Sequence, residues 1–368
     1  MPDGREYRLI DADTHINEPP DLWLERLPAR YRDRAPRIHG FDEGDAWVLE
    51  GVADPINFGL NSTAGMAPDR MQPWVRWEDV RPGGYDPAAR LQEMDRDMLD
   101  AAVLYPTPRL SHYLIATKDP DFHLAQVRAY NDWLSEYAGH APGRLGGILL
   151  LPNRGVDQAI AEFERAIALP GMVGALVGCY PHGDLQIKPE DDRLWRAIAD
   201  AGVPLNIHVS MVDEMPRTHT DRIPGDIRFY DAPRRILQFI WGGVFERIPE
   251  LELVVAEVDI GWVPYMREQI DDRYRRQALG ARLDLPAPPS HYLDRNVSFT
   301  YITDHYGVRN RHAVGVDRIL WSSDYPHVGS NWPHSWRTIA ADYSGIPPAE
   351  RDLMLAGNAQ RLYRFDTR

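Results

Sequence analysis

The stretch LIDADTH, residues 9–15, sets the reading of the chain. Leu9 and Ile10 open it as a buried strand would, and Asp11, Asp13 and His15 follow at every second position. Alternate side chains of a strand share a face, so Asp13 and His15 point the same way at its end. Outward from this strand, short apolar, β-branched runs alternate with amphipathic stretches, the rhythm of a parallel sheet with helical returns. Strands are expected near Tyr7–Thr14, Ala102–Tyr105, Leu145–Leu151, Val173–Gly178, Pro204–Val209, Leu251–Val258, Asn296–Thr300 and Arg318–Ser323. Helices are expected near Asp86–Leu99, Pro120–Ala138, Val156–Ala168, Asp191–Asp200, Ala232–Glu246 and Val263–Gln277, with a short one at Gly307–Val314 and a last one at Ala349–Tyr363. The join AGVP, 201–204, ends one helix on glycine and starts the next strand on proline, each in its least harmful place. Eight strands with helical returns predict an α/β fold, a (β/α)8 TIM-like barrel, ahead of an open doubly wound sheet. No G-x-G-x-x-G or Walker pattern follows a strand, which counts against nucleotide binding.

One segment breaks the rhythm. Residues 35–85 carry prolines, glycines and Trp47, Trp74 and Trp77, and they interrupt the first strand-to-helix connection. Connections of that length are functional or carry structure of their own. The expectation is one barrel domain over 1–368, with 35–85 as an insertion covering the barrel mouth; an ornamental or oligomer-forming excursion is the alternative. Composition is ordinary for a globular chain of 368 residues, and a net charge of −14 argues against nucleic-acid or anionic-membrane partners. One cysteine, Cys179, excludes an intrachain disulfide. The N-terminus lacks the basic-then-apolar order of a signal peptide, and no stretch approaches the roughly 20 apolar residues that span a bilayer, so a cytoplasmic location is expected.

The residues that carry chemistry sit at predicted strand ends. Asp13 and His15 end the first strand, His208 in NIHVS ends the fifth, and Asp324 in WSSDYPH ends the eighth. Taken singly, each has a bland reading: an Asp at a strand end caps a helix or a turn, and a lone His is a satisfied core residue. Their joint placement at the ends of strands one, five and eight favours a nitrogen/oxygen site for Zn2+ first, with Mn2+ or Fe2+ as alternatives.

The chain resembles the amidohydrolase-2 group of the amidohydrolase superfamily, which includes aminocarboxymuconate-semialdehyde and resorcylate decarboxylases. The resemblance runs through DADTHINEPPDLW (11–23), NIH (206–208), IPELELVVAE (248–257), GWVPY (261–265), SSDYPH (322–327) and GNAQRLY (357–363). It implies one metal held by Asp13, His15, His208 and Asp324. Relatives with two metals use a carbamylated lysine on the fourth strand; here that strand reads VGALVGC and Lys188 lies past it. The family's decarboxylases carry a histidine at the end of the sixth strand, where this chain has Glu257. Glu257 is therefore a candidate general base, ligand or partner of His208, against the alternative of a buried Glu satisfied by arginine.

Candidate substrate contacts are Glu18 after the first strand, His182 after the fourth, Arg217 and His219 after the fifth, and His327 after the eighth. Each has a structural alternative: a cap for Glu18, a loop histidine for His182, solvated charge for Arg217, a loop end for His327. The function implied is non-oxidative decarboxylation of a small carboxylated aromatic or dienoic acid, with Asp324 carrying the proton. The rivals are hydrolysis of an amide, lactone or C–C bond by metal-activated water, and a catalytically inactive binding barrel. The partner is a small molecule, and the resemblance implies a homodimer or larger oligomer.

Overall fold

The computed structural model describes residues 6–215 and 231–365. Eight parallel strands follow one another in chain order: β1 Ile10–His15, β2 Ala101–Tyr105, β3 Leu145–Leu150, β4 Met172–Leu176, β5 Leu205–His208, β6 Leu253–Ala256, β7 Val297–Tyr301 and β8 Ile319–Trp321. They bend into a nearly closed barrel. The gap between β8 and β1 is bridged just past β8, where Asp324 N donates to Asp13 O (3.0 Å) and His15 N to Tyr325 O (2.6 Å). Asp11 adds a side-chain clasp, accepting from Ser323 N at 2.9 Å and from the Ser323 hydroxyl. All eight predicted strands are present, and almost every residue of them is buried, as expected for a parallel sheet flanked on both faces.

The returns are helices whose starts are written in the chain. Proline stands at the first helical position of Pro87–Arg96, Pro108–Ala116, Pro120–Gly139 and Pro289–Asn296, where its missing N–H has no partner to lose. Asp86 and Asp119 cap two of these, accepting from Ala88 N (2.8 Å) and Phe122 N (3.1 Å). Gly202, at φ +62°, ends Asp192–Ala201 in the left-handed conformation just ahead of β5, as the AGVP join predicted. The expected helix Ala232–Glu246 is two, Ala232–Trp241 and Val244–Arg247, because Gly243 at φ +68° turns the chain between them. The helices Leu22–Arg26, Pro108–Ala116, Pro289–Asn296 and Ser335–Asp342 were not expected; each is short, five to nine residues, and shows few turns of the helical period.

The inserted segment has structure of its own. A small antiparallel sheet, Arg37–Gly40, Asp45–Val48 and Ile56–Asn57, pairs Arg37 with Val48 and Trp47 with Ile56. Short 3-10 turns follow at Gly59–Asn61, Pro68–Arg70, Trp77–Asp79 and Pro82–Gly84. Trp47 is buried and meets Trp23 edge-on at 5.5 Å, half-buried Trp77 lies 5.7 Å from Phe58 and 5.1 Å from Tyr85, and Trp74 lies against Phe41 at 5.6 Å. Hydrogen bonds tie the segment to the loops that leave β1 and β8: Asn17 N to Gly84 O (2.8 Å), Val328 N to Leu60 O (3.0 Å) and Ala64 N to Pro326 O (2.9 Å).

Candidate metal centre

The C-terminal ends of β1, β5, β6 and β8 converge. The ladder between β1 and β2 slips its register between Asp11 and Thr14, and such an irregularity re-aims the side chains beside it. His15 Nε2 then lies 3.7 Å from Asp13 Oδ1 and 3.4 Å from Asp324 Oδ1. His208 Nε2 lies 3.4 Å from Asp13 Oδ1 and 3.3 Å from Glu257 Oε2. The two imidazoles meet edge-on at 4.7 Å. Ligand-type atoms of Asp13, His15 and His208 fall within 4.8 Å of one another, as do those of His15, Asp324 and His327.

The backbone that presents these groups is strained. Val209 (φ +55°), Glu257 (φ +58°) and Asp324 (φ +60°) all adopt the left-handed conformation without being glycine. Each such residue carries a cost of order 1–3 kcal/mol, and such costs gather at functional sites. Here they fall on, or next to, three of the converging groups.

The surroundings fix the protonation of the cluster. His15 Nδ1 is 2.9 Å from the Pro106 carbonyl, which keeps its proton there and turns the Nε2 lone pair inward. Burial, aided by His327, pushes His15 down to about 4, so its ring is neutral at pH 7. Burial pushes the Asp324 carboxyl up, but His327 and His15 outweigh it and hold the group well below the usual carboxylate range. Asp13 Oδ2 is 3.3 Å from the Thr300 hydroxyl, whose oxygen also accepts Glu257 N at 2.7 Å. Imidazole nitrogens of His15 and half-buried His208, facing the buried carboxylates of Asp13 and Asp324, form a donor set matched to a divalent cation.

The other predicted residues divide. Glu18 is buried and accepts Thr107 N at 3.0 Å; burial pushes its carboxyl up to about 7. It therefore steadies the Pro106–Thr107 loop on which His15 leans. His327 joins the cluster, with Nδ1 2.7 Å from Asp324 Oδ1. His182 does not: its nitrogens face Asp191 at 2.5 Å and Glu190 at 3.6 Å. Arg217 and His219 lie outside the described residues. Sequence reasoning missed Thr300, although Ser298 and Thr300 alternate as polar residues in an apolar strand and so share one face. It also missed Arg90, which is buried, donates to the His15 carbonyl at 3.1 Å and stacks on Tyr325 at 4.5 Å. Nothing in the sequence separates it from the other arginines. A narrow cavity beside His208, lined in part by His112, Ile115 and Leu176, comes from the unexpected Pro108–Ala116 helix.

Residues 10–365 match the family model described as amidohydrolase. The chain belongs to the amidohydrolase family. Among its relatives is the gamma-resorcylate decarboxylase of Polaromonas sp., 24% identical over 336 residues, which cover 83% of this chain and 95% of the relative. Among solved structures, an amidohydrolase from Mycobacterium avium subsp. paratuberculosis superposes with a TM-score of 0.75 at 22% identity, over 98% of both chains. A dihydroxybenzoic acid decarboxylase from Polaromonas sp., solved with manganese and the inhibitor 2-nitroresorcinol, does so with a TM-score of 0.63 at 19% identity, over 98% of both chains. For this amidohydrolase the barrel is thus the family's fold. Among the described residues no helix is long and apolar enough to cross a membrane.

Proposed function

We propose that this amidohydrolase is a metal-dependent, non-oxidative decarboxylase of a small hydroxylated aromatic acid. Asp13, His15, His208 and Asp324 would hold a single divalent ion, zinc or manganese, beneath the inserted segment 35–85. The observation that carries the reading is the convergence of Asp13, His15, His208 and Asp324, with closest approaches of 3.4–3.7 Å, in a relative of aromatic-acid decarboxylases. When bound, the ion supplies a fixed positive charge for the substrate carboxylate and an adjacent ring oxygen. Asp324, kept ionised by its imidazole neighbours, takes the proton of the ring hydroxyl and returns it to the ring carbon that bears the carboxylate. The bond to the carboxylate then breaks, CO2 leaves, and the electron pair returns to the ring as a phenolate, which water protonates.

Glu257 faces the same nitrogen of His208 that faces Asp13. It lies on the inner side of the ring, within the cluster, where a carboxylate can ligate or act as base. This position favours the hydrolytic alternative more than any other feature of the site. Trapped CO2 decides between them. Purified protein with one divalent ion per chain should release CO2 from γ-resorcylate or another hydroxybenzoate of a panel, and lose that activity to a chelator. Full turnover by metal-free protein, or cleavage of esters and amides without CO2, would overturn the proposal.

A further inference from the structure

The inserted segment reaches the metal centre through Asn61. This residue closes the turn Gly59–Asn61, and its Nδ2 lies 3.0 Å from His327 Nε2. Across the ring, His327 Nδ1 lies 2.7 Å from Asp324 Oδ1. The ring is stacked on His15, centroid to centroid 4.1 Å and tilted only 14°, so it has little freedom to swing away. An amide NH2 facing Nε2 donates to it, which leaves the ring proton on Nδ1 to be donated to Asp324.

The turn that carries Asn61 is held from two directions. Its carbonyl accepts Asn17 Nδ2 at 3.1 Å from the loop after β1. The flanking Leu60 O and Ala64 N bond to Val328 and Pro326 in the loop after β8. Gly59 fits only because it has no side chain: a Cβ there would stand 2.4 Å from Gln72 O and 2.8 Å from Pro73 O.

We infer that Asn61 is a positioning residue of the site, fixing the tautomer of His327 and, through it, the orientation of the Asp324 carboxylate. The inserted segment thereby completes the acid–base apparatus that the strands begin. The catalytic consequence rests on the proposed role of Asp324; the relay itself rests on the distances above.

Histidine-ring 15N spectra of protein loaded with Zn2+ test it, with the His327 signals assigned by their loss in His327→Gln. Wild type should show the His327 proton on Nδ1 and a hydrogen-bonded Nε2. Asn61→Ala should lose that Nε2 signature and mix the tautomers. With γ-resorcylate as probe, its kcat should fall by roughly 10- to 100-fold at unchanged KM and metal content. Asn61→Asp, which keeps the size of the side chain but offers only acceptor oxygens, should reverse the bond and draw the ring proton onto Nε2, away from Asp324. Unchanged His327 signals in both variants would overturn the inference, and so would loss of metal together with activity, which marks a merely structural residue. Protein with the expected ring signals that releases no CO2 from any acid of the panel would overturn the decarboxylase reading and leave the relay standing.

Discussion

The rim of the barrel and the inserted segment meet at one site, but they are held by different forces. On the rim, His15 and His208 are placed by paired ladders, Asp13 stands at the slip in the first of them, and Glu257 directly follows its strand. Within 58–64 the turns are pinned by side chains on backbone: Ser62 Oγ donates to Phe58 O and Thr63 Oγ1 to Gly59 O, each at 2.7 Å. Arg81 Nε likewise donates to Ala64 O at 2.5 Å. A ladder resists the loss of any one contact, whereas a turn tied by single bonds can shift as a unit. Metal binding should therefore depend on the rim alone, and catalysis on both regions.

The largest effect expected is at His208. Replacing it with alanine removes an imidazole whose Nε2 sits 3.4 Å from Asp13 Oδ1, and leaves buried carboxylates facing one another with less to hold a cation between them. Metal content by elemental analysis should drop to background, and turnover with it. Retained metal with lost turnover would show that His208 is not among the groups that hold the ion.

A change confined to the inserted segment should separate the two regions. Gly59→Ala forces a Cβ against the Gln72 and Pro73 carbonyls, which are backbone and cannot rotate aside. Overpacking of this kind costs about 1–3 kcal/mol. The variant should melt at a lower temperature and lose part of its kcat, yet bind one metal ion per chain as wild type does. Metal loss in this variant would mean that the inserted segment also builds the ion site.

The same contrast explains what could be read from the sequence. The eight strands and most of the returns were legible, because period-two and helical patterns, proline starts and the Asp86 and Asp119 caps are local signals. Asp13, His15, His208 and Asp324 were legible because each ends a recognisable strand. The inserted segment was legible only as an interruption. Its sheet pairs strands of two to four residues, too short to show a period, and its turns depend on partners far along the chain, such as Arg81 for Ala64. Asn61 and Arg90 carry no local mark, since what singles them out is a contact with residues 266 and 75 positions away. His182 shows the reverse failure: it follows the fourth strand as a rim residue would, but Asp191 and Glu190 draw it to the side.

The smallest effect concerns the far anchor of the loop that carries His327. Asp97, at the end of the helix Pro87–Arg96, accepts Ser335 N at 3.0 Å and Ser335 Oγ at 2.5 Å. Burial pushes its carboxyl up from 3.8 to about 6, against the opposing pull of the Ser335 bonds. The folded chain therefore keeps a proton that the unfolded chain gives up between about pH 4 and 6. The folded state binds more protons across that window, so its stability falls as pH rises through it and levels off above. By the size of the shift the loss is at most about 3 kcal/mol. Asp97→Asn cannot ionise, and denaturation at a series of pH values should show its stability flatter than wild type between pH 4 and 6, with kcat and metal content near neutrality unchanged. Identical pH slopes in the two proteins would place the Asp97 carboxylate in its ordinary range and make the Ser335 bonds an equal counterweight to burial. A drop in kcat with the metal in place would instead tie the anchor of this loop to the Asn61–His327–Asp324 relay, and extend the dependence of catalysis beyond the inserted segment.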